Sequence, residues 1–293
     1  MPKNLENTKY TIAPVSEWMS SISDDEIVAL VSQKEKNLNE ITYENERPNI
    51  CYLNNSIYKT SDDKNEDYVF LVYRLDSAEL IQQAAVNDYA LNKDQKIIFH
   101  RLGVIRDSMF IDKLPDQNVK ILDNEQASSQ GSTFEAKKVN CIIDDLRIGD
   151  IFILEYNIVT NFSEISFMDK KYCRIIYQLP QNNWLYKNYR IKIIQNRKED
   201  ILVKKRFFRD SNKKIIHEEH ILRKGESYIF EEINFRPNFE AHVFSPFLEI
   251  VTKSSWEDIS KYIYNLYEPI LKQKNGKESE LLKKIINSSD DIE

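Results

Sequence analysis

The hydrophobic rhythm of the chain changes twice along its length. From residue 50 onward, apolar and polar positions alternate with a period of two in runs at 50–53, 68–75, 95–102, 119–122, 137–143 and 151–160. The rhythm continues at 172–179, 189–194, 201–208, 214–221 and 227–233, again in segments rich in Val, Ile, Tyr and Phe. Successive side chains of a strand point to opposite faces, so each run predicts a strand with one buried side. Polar breaks separate the runs: Asp76-Ser77, Asn92-Lys93-Asp94, Asp107-Ser108, residues 196–200, Asp210-Ser211-Asn212 and Lys224-Gly225-Glu226. Their short side chains hydrogen-bond turn backbone. Residues 126–133 predict a longer polar loop. The number and spacing of the runs predict a mainly β fold, a large antiparallel β-sandwich.

Both flanks follow a helical rhythm instead. Near the start, Ser23 and Glu26 have the spacing of a capping box, and Ile27, Leu30 and Val31 recur behind them, which predicts one short N-terminal helix. Residues 10–18 read as extended and 32–49 as a polar linker. Near the end, Ser255 precedes a segment with Trp256, Ile259, Ile263, Leu266 and Tyr267 on one face, stopped by Pro269. Ser279 then caps a second helical segment with Leu281, Leu282, Ile285 and Ile286. The expected organisation is an N-terminal extension over 1–49, a sandwich over 50–240, and two C-terminal helices within 241–293.

Composition narrows the function. The 293 residues include only 5 glycines, widely spaced, so the glycine-rich loops that cradle phosphates in nucleotide-binding proteins are absent. A chain 41% hydrophobic and 30% charged is of ordinary globular type, and its net charge of −6 argues against a nucleic-acid partner. The basic stretch Lys204-Lys205-Arg206-Phe207-Phe208-Arg209 could stack on bases, but Glu199, Asp200 and Asp210 flank it and dilute its field. No apolar run is long enough to span a bilayer, and residues 1–7 lack the apolar segment of a secretory signal.

Candidate chemistry is sparse. His217 and His220 are three residues apart, whereas helical zinc sites space histidines by four, and in a strand such a pair points to opposite faces. Cys173, His217 and Asp258 occur in the order of a thiol triad, but Cys51, Cys141 and Cys173 all lie in strand-like runs where cysteine acts as a small buried hydrophobe. No metal or other cofactor is expected. The 16 tyrosines and 14 phenylalanines supply a core, or an exposed face for peptide or glycan.

A series of motifs resembles a known family. Residues 91–102 with Val104-Ile105-Arg106-Asp107, then Lys113-Leu114, Ile121-Leu122 to Glu125, Asp144-Asp145-Leu146-Arg147-Ile148-Gly149-Asp150 and Glu155-Tyr156 are similar to the β-rich domain that precedes transglutaminase-like domains in bacterial proteins. His100 and Arg106 match its strand pair, Arg147, Gly149 and Asp150 its turn, and Tyr156 the strand that follows. Trp18 in the lead-in and Trp256 in a junction helix complete the likeness.

The resemblance implies a non-catalytic accessory or substrate-presenting domain. Its partner would be a transglutaminase-like domain in the same or another chain, with the catalytic Cys, His and Asp of that cysteine hydrolase or acyltransferase beyond the junction helix. It implies a periplasmic or secreted protein where a signal peptide has been removed, and a cytoplasmic one otherwise. Read without the family, Gly149 supplies a positive φ to an acidic hairpin turn between the runs ending at Ile143 and starting at Ile151, where Arg147 can pair with Asp145 or Asp150.

Overall fold

A computed structural model of the chain describes residues 9–36, 48–114, 119–123, 137–162, 174–178, 184–209, 214–235 and 247–252, with Glu257, Ser260, Lys261, Tyr264, Tyr267 and Glu268 beyond them. The fold is mainly β. Its main sheet runs β1 (Tyr10–Ile12), β5 (Gln95–Arg106), β9 (Ile151–Asn161), β3 (Lys64–Arg74), β2 (Asn49–Thr60), β11 (Trp184–Gln195) and β14 (Ser227–Phe235), with β6 (Met109–Asp112) paired to β5. A second sheet orders β10 (Arg174–Gln178), β15 (Phe247–Thr252), β12 (Ile201–Arg209) and β13 (Lys214–Leu222). A third contains β4 (Val86–Leu91), β8 (Lys137–Ile142) and β7 (Val119–Asp123).

Every alternating run read from the sequence forms a strand. The additional strands are β1, β4, β6 and β15. Pairing is antiparallel except at β1 with β5 and at β2 with β11, where Asn49–Thr60 lie in parallel register with Trp184–Gln195. Between β5 and β6, Asp107 and Ser108 both take positive φ, 51° and 62°, the geometry of a tight two-residue hairpin turn.

Side-chain alternation sorts three cores. Tyr52, Ile57, Tyr68, Phe70, Val72, Ile151 and Ile153 face one side of the main sheet, where they meet Ile27 and Val31 of helix α1 (Asp24–Lys36). On the other side, Phe99, Val104, Phe152 and Leu154 meet the third sheet and helix α2 (Ala78–Ala85) through Val139, Cys141, Leu80 and Ala84. Cys51, Tyr58, Tyr186 and Ile191, further along that same side, meet Val203, Leu222, Leu248 and Ile250 of the second sheet. The described residues up to Thr252 are therefore layered, with α1 on one face of the main sheet and two smaller sheets side by side on the other.

Helix α1 starts as its sequence dictates. Ser23 Oγ accepts from Glu26 N at 3.3 Å while Glu26 Oε2 accepts from Ser23 N at 2.7 Å, a reciprocal cap. The helix extends to Lys36, into the stretch read as linker. Helix α2 was not expected: Ser77, read as a turn residue, instead N-caps it by accepting from Leu80 N at 3.2 Å.

Contacts divide the chain into Met1–Thr252 and Lys253–Glu293. In the second unit Glu257, Ser260, Lys261, Tyr264, Tyr267 and Glu268 are helical, in agreement with the first predicted C-terminal helix. Tyr267, assigned to its apolar face, is exposed. The second predicted C-terminal helix lies outside the described residues.

Candidate functional site

Two polar constellations are built on β5 and β9. The first is a corner at the end of β5. Arg106 Nε donates to Asp150 Oδ1 and Arg106 Nη2 to Asp150 Oδ2, both at 2.8 Å, a two-point pair with Asp150 buried. Asp150 Oδ2 also accepts from the Arg147 backbone N–H at 2.9 Å. Arg106 further donates to Asp145 Oδ2 at 3.0 Å and to the Asp145 carbonyl at 2.7 Å. The Arg147 guanidinium is 2.9 Å from the other Asp145 oxygen. Hydrogen bonds from the two arginines hold the Asp145 carboxyl below its ordinary range, and those from Asp150 and Asp145 raise Arg106.

Gly149 has φ +95°, as the turn was expected to require. The turn is not a hairpin, however. The strand before it, β8, belongs to the third sheet and β9 to the main sheet, so the segment carries the chain from one layer to the next. The corner clamps that crossing, with Gly149 N–H donating to the Leu75 carbonyl at 2.8 Å.

The second constellation lies under the lead-in to α1. A register shift between Phe99 and Arg101 interrupts the alternation of β5. It places His100 and Arg101 on the α1 side together with Tyr68 and Glu155. Glu155 is fully buried and accepts from Tyr68 Oη at 2.5 Å, with Arg101 Nε 3.5 Å from its other oxygen. Arg101 then reaches outward, donating to the Ile22 carbonyl at 2.9 Å and to Ser21 Oγ at 3.3 Å, and pairing with Asp24 at 3.1 Å. His100 Nδ1 is 2.8 Å from the Ala13 carbonyl, and since a carbonyl only accepts, that nitrogen carries the proton. Trp18 packs edge-on to Tyr68 at 6.1 Å, and the Lys59 ammonium sits 4.8 Å over its ring. Burial, reinforced by the Glu155 charge, pushes the Tyr68 hydroxyl pKa upward and keeps it a donor.

Of the residues singled out in the sequence, the structure thus joins Arg106, Arg147, Gly149 and Asp150 at the corner, and brings Trp18 of the lead-in and His100 of β5 against Tyr68. Tyr156 points to the opposite side of the main sheet, edge to face with Tyr89 at 5.0 Å. Glu125, Cys173 and Trp256 lie outside the described residues. Sequence reading missed Tyr68, Arg101 and Glu155 as one unit. A lone acid in the apolar run of β9 was the available signal, because a buried carboxylate requires partners.

Other candidates are elsewhere. Burial pushes the Cys51 thiol up to about 12 and the Cys141 thiol up to about 11, which suits inert core positions. His220 stacks against Tyr228 at 4.9 Å. Lys204 and Lys205 lie 3.9 and 3.6 Å from Glu219 and Glu218 on β13, so acids balance part of the basic run. Among the described residues no group of three or more His, Cys, Asp or Glu side chains is placed to hold a metal, and no helix is long and apolar enough to cross a membrane.

These features define a layered, mainly β protein whose conspicuous polar groups clamp strands and lead-in together. In fold it is similar to a crystal structure from Parabacteroides distasonis of a protein named a "putative protease", with a TM-score of 0.52 and 14% sequence identity. The likeness covers 82% of this chain and 46% of the other, so this chain spans less than half of that protein's length. No protein-family model matches the chain, and no curated protein matches it.

Proposed function

We propose that the chain is a non-catalytic accessory or substrate-presenting β-domain of a transglutaminase-like protein, with residues 241–293 forming the junction to its core. The observation that carries this reading is spatial. His100, Arg106, Arg147, Gly149, Asp150 and Tyr156, quoted from three separated motifs, lie on or at the ends of the adjacent strands β5 and β9. Arg106 bridges them through Asp150. Support also comes from the Parabacteroides distasonis fold neighbour, a longer chain named for proteolysis, and from the buried state of Cys51 and Cys141.

The test compares the product of the natural reading frame with a form lacking residues 1–252, in assays of peptide hydrolysis and of acyl transfer to amines. The expected result is that replacing Cys51, Cys141 and Cys173 by serine leaves activity intact, while deleting residues 1–252 changes KM for large substrates. Loss of activity in the triple serine variant would sink the accessory reading.

The second reading, a self-standing peptide- or glycan-binding module using exposed aromatics, has less support. Tyr73, Trp184, Tyr186 and Tyr189 stack on one another in the core, with centroid separations of 5.4, 6.2 and 5.3 Å along the series.

A further inference from the structure

On the α1 side of the main sheet, β11 joins the core through Leu185 and Ile194 near its two ends. Between them the strand turns Asn188, Arg190 and Lys192 to that face. Arg190 stands opposite Asn55 of β2 and Glu231 of β14, and Lys192 opposite Ile57 and Ile229. No carboxylate among the described residues pairs with Arg190 or Lys192, Glu231 included, and Arg190 Nε and Asn188 Oδ1 are buried without a hydrogen-bond partner.

At the end of this row the pairing of β11 with β14 skips Lys187 and Asn234, the latter with a positive φ of 53°. Lys187 is only 2% exposed, and its ammonium donates to a single neutral acceptor, Asn234 Oδ1 at 3.2 Å. Burial and the nearby Lys34 of α1 both disfavour its charge. On the β14 flank, Ile229 and Ile233 are 46% and 64% exposed on the same face. Among the described residues, Arg190 and Lys192 thus have no carboxylate within pairing distance, and they border the exposed Ile229 and Ile233, with Glu231 standing between those two on the same face.

We propose that this shelf between α1 and β14 binds an extended acidic peptide segment of a partner polypeptide, with acids and apolar residues alternating. A strand-like peptide lying along the shelf directs alternate side chains to its two flanks. Carboxylates on one flank meet Arg190 and Lys192, while aliphatic groups on the other meet Ile229 and Ile233. Five residues of extended chain cover ~17 Å, the length of β11 from Asn188 to Lys192. Charge complementarity chooses the occupant: two cations without a paired carboxylate among the described residues, one with its Nε unpartnered, favour carboxylates, and bordering isoleucines favour a peptide over a bare anion. This inference does not depend on the accessory reading, since it concerns the chain alone.

The test is calorimetric titration of the full chain with acetyl-Glu-Val-Glu-Val-Glu-Val-amide in 50 mM and then 500 mM salt. Binding is expected to weaken as salt rises and to fall about tenfold in R190Q/K192Q, each exposed pair giving up to about a factor of five. The charge-matched control K93Q/K224Q, at exposed turns, should bind as the parent does, and Ile233→Ser should weaken binding without altering its salt dependence. Thermal unfolding of each variant verifies that the fold persists. Equal binding of the Gln-Val peptide, equal binding by R190Q/K192Q, or no binding by the parent would overturn the proposal. So would equal affinity for sulfate or for an oligothymidylate of the same charge, results that would mark a general anion surface.

Discussion

Arg106 and Asp150, 44 residues apart in sequence, meet in a two-point hydrogen-bonded pair that ties the end of β5 to the start of β9. The guanidinium is planar and its donors are fixed in a fork, so lysine cannot reproduce the contact. Arg106→Lys should destabilise the chain by ~1–3 kcal/mol in urea unfolding, and Asp150→Asn by a similar amount. Asp145→Asn should cost clearly less than either, because the Asp145 side chain is 51% exposed and its ion pairs are screened by solvent. Equal costs at 145 and 150 would contradict the assignment of Asp150 as the buried half of the corner.

A double-mutant cycle probes the buried group under the lead-in. Tyr68→Phe should cost ~1–2 kcal/mol and Glu155→Gln more, since the latter also strands Arg101 beside a neutral amide. The coupling between the two sites should be ~1 kcal/mol or above. Additive losses would mean that the Tyr68–Glu155 hydrogen bond contributes little.

Acid should weaken the fold in a defined window. Asp145, held low by Arg106 and Arg147, and Asp88, held low by Lys138 and Asn140, have folded-state pKa values below their ordinary ones. Groups of this kind stabilise the folded state above the unfolded pKa of ~3.9, and lose that contribution as pH falls through the lower, folded value. Unfolding free energy should decline below about pH 4, and less steeply in D88N/D145N. Identical slopes in parent and double variant would rule these carboxylates out as the cause.

Alkylation separates core thiols from a reactive one. With their pKa values raised to about 12 and about 11, Cys51 and Cys141 should resist iodoacetamide at pH 8 until the chain is unfolded, as read by mass spectrometry. Rapid modification of either in the folded chain would show that its strand opens to solvent.

Two glycines should differ in their response to alanine. At Gly149 the cost is conformational, φ being +95° with no neighbour within 4 Å of an added Cβ, and ~1–2 kcal/mol is expected. At Gly103 an added Cβ would lie within clashing distance of the Ile111 carbonyl and the Phe110 ring, so β6 must shift and a larger loss, ~3 kcal/mol, is expected.

Local chemistry was legible in the sequence and long-range pairing was not. The alternating runs, the Ser23–Glu26 cap, the Asp107-Ser108 turn and the positive φ at Gly149 each depend on a few adjacent residues. Ser77 shows where local reading becomes ambiguous, because a serine that satisfies a turn satisfies a helix N-terminus equally well. The turn at Gly149 was placed correctly in sequence but assigned to a hairpin, since nothing nearby reveals that β8 and β9 join different sheets. At the candidate site, the corner residues could be named from their motif. Arg101 joins Tyr68 and Glu155 through the register shift in β5, which leaves no local pattern, so the lone acid Glu155 was the one local sign of that group.

The parallel pairing of β2 with β11 has a consequence for synthesis. Ribosomes add roughly 5–20 residues per second. At that pace, β2 emerges with one edge unpaired on the order of ten seconds before residues 184–195 exist to cover it. During that interval its Ile57 and Tyr58 are displayed on an open strand able to capture another nascent chain. Yield from a crowded polysome should therefore respond to holding chaperones, and a synonymous recoding that speeds translation of residues 61–183 should raise the soluble fraction.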